Sequence, residues 1–342
     1  MSELIKLLGG TATAWPLAVR AQTAQPVVGY LAQGSPEGTA DTVQLRAVVV
    51  EYRWAEGRND KFPALLADLI GRQVAVIVAP TTPAVLAAKT ATNTIPIVFF
   101  TAGDPVDLGL VTSLNLPDRN LTGATTLTLE VGPKWLQLLH DTVPSATSLA
   151  LLINPTSPNL AETQARDMQA AAHASGLQLH VLRASTVADL DTVFASIAQL
   201  GAGGLVISSD SFFFGQSKQL ATLAVRHAVP TIFGFREFVT AGGLMSYGGS
   251  LTESFRWVGI YTGQILKGAK PADLPVQRST KIELFINLLT AQALGIESAA
   301  HATYPRRGCY RMNWLDVRFW HKADITTVFQ RCLLLSEKPT SG

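Results

Sequence analysis

The sequence predicts an α/β protein made of two doubly wound parallel-sheet lobes joined by hinge crossovers. Short, β-branched-rich apolar runs alternate with amphipathic segments from Pro26 onward, as expected for strands covered on both faces. Strand–helix–strand repetition implies parallel sheets with right-handed crossovers. Two such series occur, one before Thr122 and one after Gly132, and a chain of 342 residues has room for about two domains.

In the first series, strands are expected over Val27–Ala32, Ala47–Tyr52, Val74–Ala79 and Ile95–Thr101, with helices over Pro63–Arg72 and Pro83–Ala91. The second should open with a helix over Pro133–Thr142. Strands over Leu149–Asn154, Leu177–Arg183, Gly204–Ser208 and Thr231–Phe235 then alternate with helices over Leu160–Ser175, Val187–Leu200 and Gly215–His227, and a helix over Thr252–Leu266 follows. Pro63, Pro83 and Pro133 each stand where a helix opens and a missing N–H costs little. Two extended stretches, Asn120–Thr128 and Ala241–Ser250, suit connections between lobes, so a later helix should return to the first lobe. The expected division is 1–26, a signal-like segment; 27–121 plus 245–270, the first lobe; 122–244 plus 280–296, the second; and 297–342, an atypical tail expected to be poorly ordered. Only about 14 residues separate the first two strands, and Gly34, Pro36 and Gly38 occupy their start. A crossover with its helix usually needs at least 10–12, so the first lobe reads as shortened.

Composition narrows the function. Net charge is +2, from 27 Lys and Arg against 25 Asp and Glu, a poor match to the basic footprint of a nucleic-acid binder. No apolar run approaches the roughly 18 residues of a membrane span. The two cysteines, Cys309 and Cys332, lie near the C-terminus, which excludes a disulfide framework and a cysteine-clustered metal site. Leu4–Val19 is small and apolar, and Val19-Arg20-Ala21 fits a signal cleavage after Ala21. No Gly-x-Ser-x-Gly elbow, His-Glu-x-x-His or phosphate loop is present, and the six histidines are scattered. No catalytic constellation, metal site or cofactor is therefore expected.

Ligands of open parallel sheets bind beyond the carboxyl ends of the strands. The loops there carry Gln33 and Ser35, Thr81 and Thr82, Asp104, Asn154 and Ser157, and then Asp210 and Phe212. Thr81 and Thr82 read equally as helix caps, and so does Asp210. Phe212-Phe213-Phe214 lies in a polar loop, where aromatics could stack on a flat ligand. Arg236 and Glu237 read as an ion pair on the hinge side.

Further motifs suggest a family. They are Leu7-Leu-Gly-Gly10, Ala14-Trp-Pro-Leu17, Glu51-Tyr-Arg-Trp-Ala-Glu-Gly57, Ile95-Pro-Ile-Val-Phe99, Gly103-Asp-Pro105, Phe235-Arg-Glu-Phe238, Gly242-Gly-Leu-Met-Ser-Tyr-Gly248 and Ile265-Leu-Lys-Gly-Ala-Lys-Pro-Ala-Asp-Leu-Pro275. Together they resemble the bacterial ABC-transporter substrate-binding proteins of the tryptophan/tyrosine type, from Leu7 to about Ile296. The resemblance implies a type I periplasmic-binding fold, a periplasmic location, capture of a small solute such as an amino acid, aromatic ones included, and permease subunits as partners. The chain departs from the family at three points. Ser2-Glu3-Leu4-Ile5-Lys6 replaces the paired arginines common in export signals. Roughly 20 residues of the first crossover are missing by comparison with a helix-containing connection. After Ala293-Leu-Gly-Ile296 the tail reads as translation in another frame.

The expected function is thus an extracytoplasmic solute receptor with no enzymatic activity, no nucleic-acid partner and no membrane span in its mature chain. A degenerate copy that does not bind, and a cytoplasmic enzyme or sensor on a similar scaffold, are the alternatives. One ligand is expected between the lobes. Its carboxylate should meet the helix opened by Thr81-Thr82-Pro83, its ammonium Asp210, and Tyr247 should lie near the hinge.

Overall fold

The computed structural model describes residues 25–33, 48–117, 119–126, 128–279, 282–296 and 314–318. The signal-like segment, Ser35 and the short first crossover lie outside the described residues, as does all of the tail except 314–318.

The first sheet holds β1 (Val27–Ala32), β2 (Val49–Trp54), β3 (Val76–Ala79), β4 (Ile97–Thr101), β5 (Leu121–Thr125) and, much later in the chain, β11 (Gln277–Arg278), in the order β11-β5-β4-β3-β1-β2. All its pairings are parallel. The second holds β6 (Ser148–Ile153), β7 (Gln178–Arg183), β8 (Leu205–Ile207), β9 (Thr231–Phe233), β10 (Met245–Gly249), β12 (Ile282–Asn287) and β13 (Trp314–Arg318). Its order is β13-β12-β10-β9-β8-β6-β7, parallel except for β10–β12 and β12–β13. The sequences β2-β1-β3-β4-β5 and β7-β6-β8-β9-β10 are the same winding, built twice.

The helices are α1 (Phe62–Gly71), α2 (Thr82–Ala91), α3 (Gly132–Thr142), α4 (Pro158–Ala174), α5 (Val187–Gln199), α6 (Ser211–Gly215), α7 (Ser217–Arg226), α8 (Arg236–Thr240), α9 (Leu251–Leu266) and α10 (Leu288–Ala293). Each of α1, α2 and α3 begins one residue before its proline, where φ near −65° is already helical. α5 opens with a capping box in which Thr186 accepts from the Asp189 amide and Asp189 from that of Thr186.

Three apolar clusters form the core. One lies between the first sheet and α1–α2, around Phe62, Leu66, Leu69, Ile77 and Phe99. Another lies under α3 and α4, around Trp135, Leu139 and Leu151. The third runs through both lobes, joining Val28, Val78 and Phe100 of the first to Leu152, Phe213 and Phe233 of the second through Val258 and Tyr261 of α9. α9 follows the last parallel strand of the second sheet and packs on β3, β4 and β5, which is the return of a late helix that the sequence implied.

Four readings change. The stretches read as connections carry strands: Leu121–Thr125 pairs in the first sheet and Met245–Gly249 in the second. By sheet membership the chain passes between lobes after Thr125, Gly249 and Arg278, a few residues later than the first two exchange points drawn from the sequence. Phe212–Phe214 is not loop but the body of α6, because Asp210 accepts from the Phe212 amide and starts a helix there. Within 297–342, the backbone of Trp314–Arg318 pairs antiparallel with the outer edge of β12. Arg236 places its guanidinium over the Phe285 ring, 4.6 Å from the centroid, while its charge partly offsets the burial that raises the Glu237 carboxyl.

Gly123 shows how tightly the first sheet closes. A Cβ there would stand 2.1 Å from the Phe99 carbonyl oxygen, so β4 and β5 would have to part. Gly123→Ala is expected to lower stability by about 1–3 kcal/mol, read as an earlier denaturant midpoint with unchanged slope. An unchanged midpoint would contradict this packing.

Candidate functional site

In each sheet the winding reverses beside one strand. β1 sits between β2 and β3, and β6 between β7 and β8. The loops leaving β1, β3, β6 and β8 therefore open onto a crevice, the place where such sheets bind ligands. These loops begin at Gln33, Pro80-Thr81, Asn154 and Ser208-Ser209-Asp210. The two crevices face each other across a cavity lined from both lobes.

Both lobes line it. The first contributes Thr81, Thr82, Phe100 and Thr101; the second Ser209, Asp210, Ser211, Phe214 and Phe235, with Leu160; and α9 adds Leu251 and Phe255. Phe100 and Phe255 meet at 5.2 Å between centroids, and Phe214 stands edge-on to Phe235 at 5.6 Å. Four phenylalanines give these walls their aromatic surface, and among the described residues the lining contains no Lys, Arg or His.

Among the described residues, Asp210 is the only ionisable group in the lining. Its Oδ1 accepts from Asn154 Nδ2 at 2.9 Å and from the Phe212 amide at 2.8 Å. Burial pushes its carboxyl above the ordinary aspartate range, and the bonds from Asn154 and the α6 amides oppose that without cancelling it. Asn154 is fixed in turn, its Oδ1 accepting from the amide and hydroxyl of Thr156. Beside Asp210, the buried hydroxyl of Ser209 has no hydrogen-bond partner among the described residues, although its amide donates to Gln164 Oε1 at 3.0 Å.

The start of α2 is a weaker anion site than its sequence promised. Pro83 has no N–H, the Ala84 amide donates to Thr81 Oγ1, and the Val85 amide donates to the Thr81 carbonyl. Of the usual unpaired first-turn donors, this leaves the Thr82 amide. Thr82 Oγ1 and Thr101 Oγ1 share a buried hydrogen bond of 2.8 Å. Thr81 thus both caps the helix and lines the cavity.

The other candidates lie elsewhere. Gln33 and Ser157 join a polar network between the lobes and do not line the cavity. Asp104 closes its own turn by accepting from the Val106 amide at 2.7 Å. Phe212 packs on Phe213 at 5.4 Å, and it is Phe214 that reaches the cavity. Tyr247 pairs with Leu284 in the second sheet, and its carbonyl accepts from the Trp135 indole at 2.7 Å, so it stays outside. Sequence reasoning missed Phe100 and Phe255. Phe100 carries a weak signal as one of the last residues of its strand; Phe255, one turn beyond Leu251, is visible only once α9 is known to return to the first lobe.

The family description "ABC transporter substrate binding protein" matches residues 25–302. A tyrosine-binding protein of Clostridioides difficile (strain R20291) is 23% identical over 251 residues, 73% of this chain and 71% of that one. Among solved structures, a conserved domain protein of Vibrio cholerae O1 biovar El Tor superposes with a TM-score of 0.69 at 23% identity, covering 80% of this chain and 95% of that one. An ABC domain in complex with L-Trp from Streptococcus pneumoniae superposes with a TM-score of 0.66 at 21% identity, with the same coverage. These neighbours share the type I periplasmic-binding fold.

Two variants test the electrostatics of the cavity. Since the native pKa of Asp210 is raised, the folded state holds an extra proton between the unfolded and native values. The stability so contributed is complete below the unfolded pKa and is lost as pH rises through the native one. Asp210→Asn keeps an acceptor and removes the buried charge. It is expected to melt higher than the parent near neutral pH, by about 2–4 °C per kcal/mol recovered, with the gap closing towards about pH 4. Melts across that range decide it, and a variant that melts lower near neutrality would refute the burial cost. Ser209→Ala should leave the melting temperature unchanged or raised, because no internal bond is lost. A clear drop would show that the hydroxyl has a partner in the fold.

Proposed function

The chain belongs to the ABC transporter substrate-binding protein family, and on that premise we propose that it is the extracytoplasmic receptor of an importer. Its two lobes close on an amino acid with an aromatic side chain and present it to membrane permease subunits. One observation carries the reading. Among the described residues, a cavity shared by both lobes carries four phenylalanines and a single buried carboxyl with no cation in the lining. A solute with a flat apolar body and an ammonium group supplies both missing partners. The names of the tyrosine-binding relative and of the L-Trp complex support the same class.

The two ends of such a solute are held unequally. Its ammonium meets Asp210, a charge-assisted contact in a dry site. Its carboxylate has the Thr82 amide and the hydroxyls of Thr81 and Ser209, which are neutral donors. Capture rather than turnover fits the surroundings of Asp210, whose described partners are an amide side chain and a helix amide. No helix among the described residues is long and apolar enough to cross a membrane. The periplasmic location we propose therefore rests on the family and on the signal-like N-terminus.

Calorimetric titration of the purified chain with L-Trp, L-Tyr and L-Phe tests the proposal, with micromolar or tighter binding expected, about −8 kcal/mol. Against the preferred amino acid, the analogue lacking only the amine should bind 10- to 100-fold more weakly, the worth of a charge-assisted bond of about 1.5–3 kcal/mol. The analogue lacking only the carboxylate should lose less. Failure of all three amino acids to bind would overturn the reading, and a reversed order of the analogues would overturn the orientation.

A further inference from the structure

Outside the cavity, four polar side chains form one hydrogen-bonded line across the cleft. Ser211 Oγ, at the start of α6 in the second lobe, donates to Gln33 Oε1 at the end of β1 in the first. Gln33 Nε2 donates to Asn59 Oδ1 at 3.0 Å, and Asn59 Nδ2 donates back to Ser157 Oγ of the second lobe at 3.3 Å. We infer that Gln33 and Asn59 are a latch that gathers two loops of the second lobe onto the first, and that they set solute affinity without touching the solute.

Three features separate this line from incidental surface contacts. Gln33 is only 4% exposed, so both ends of its amide must find partners inside the protein. Asn59 is held rigidly beside it, since the amides of Ala55 and Gly57 donate to the carbonyls of Ala32 and Gln33 at 2.9 and 2.7 Å. Ser157 occupies the N-cap position of α4 but makes no side-chain capping bond. A serine there ordinarily accepts from an amide of its own helix; this one instead accepts across the cleft. Of the four, only Ser211 also lines the cavity.

Separating the lobes breaks the bonds at Ser211 and Ser157 together while leaving Gln33–Asn59 intact within the first lobe. Gln33 and Asn59 are therefore positioning residues that act on the closed population. A solute that binds only the closed state has its apparent affinity scaled by that population. This last consequence rests on the receptor reading above; the latch itself does not.

The test reads lobe separation directly. With Cys309 and Cys332 replaced by Ser, spin labels on exposed Thr90 and Lys218 report the interlobe distance in the full chain by pulsed electron resonance, with no solute added. Asn59→Ala and Ser157→Ala are each expected to lower the ratio of closed to open molecules about fivefold, the net worth of one hydrogen bond. The double variant should fall no further than the singles. Solute affinity should fall in proportion to the closed fraction that remains, by at most the same factor. Ser157→Ala, at a half-exposed position on the opposite lobe, carries the test should Asn59→Ala fail to fold. A parent with no closed population, unmoved ratios in the variants, or fully multiplying effects in the double variant would overturn the latch. Shifted ratios without any amino-acid binding would uphold it and overturn the receptor reading. Binding with unmoved ratios would do the reverse.

Discussion

Asp210 carries its carboxyl into a cavity edged by phenylalanines where no cation among the described residues lines the wall, and its described hydrogen bonds come from the second lobe alone. Much of the remaining architecture follows from the need to make that placement tolerable. Burying a carboxylate among rings costs several kcal/mol unless other groups answer it. Asn154 and the start of α6 answer part of the demand and fix the direction in which the group points. On the function proposed above, a solute's ammonium between the lobes answers the rest. A buried charge of this kind weakens the empty protein and strengthens the filled one, the reverse of an ordinary core residue.

Placing Asn154 and Asp210 side by side requires the ends of β6 and β8 to be adjacent, and parallel pairing supplies that adjacency. The same winding in the first sheet brings the ends of β1 and β3 together, so one architectural rule makes both cavity walls. The lobes are also coupled by apolar packing, because α9 leaves the second sheet at Gly249 and covers β3, β4 and β5 of the first. Leu251 and Phe255 stand on the first turns of that helix and line the cavity. The hinge and the binding wall are therefore the same segment, and solute contact at Phe255 bears on a helix anchored in both lobes.

Most of the winding was legible because it is written in local patterns. β1 falls on Val27–Ala32 as read from its apolar run, and α1, α2 and α3 fall within one residue of the prolines that mark them. Asp210 could be singled out because it follows a strand and precedes a helix, which makes it both cap and cavity group. Long-range outcomes were not legible. The two extended crossings implied that a late helix returns to the first lobe, but not that its return would set Phe255 against Phe100. Tyr247 lies near the hinge as read, two residues before the crossing at Gly249, but it does not line the cavity. Asn59 went unnoticed because a single Asn in a turn is the commonest of signals, and its significance lies in Gln33 and Ser157, which are 26 and 98 residues away.

The cavity and the latch divide the work of recognition. Asp210 and the phenylalanine walls respond to what a solute is, through charge and shape, whereas Gln33 and Asn59 respond only to whether the lobes have met. A polar line of neutral groups suits the second task. Its bonds are exchanged for water on opening at a net difference of only about 1 kcal/mol each, so it biases closure without trapping the protein shut. An ion pair across the same gap would be screened by salt and would lose side-chain entropy on closing. A receptor that must release its cargo needs a closed state only modestly favoured, and neutral hydrogen bonds spread over two loops provide that.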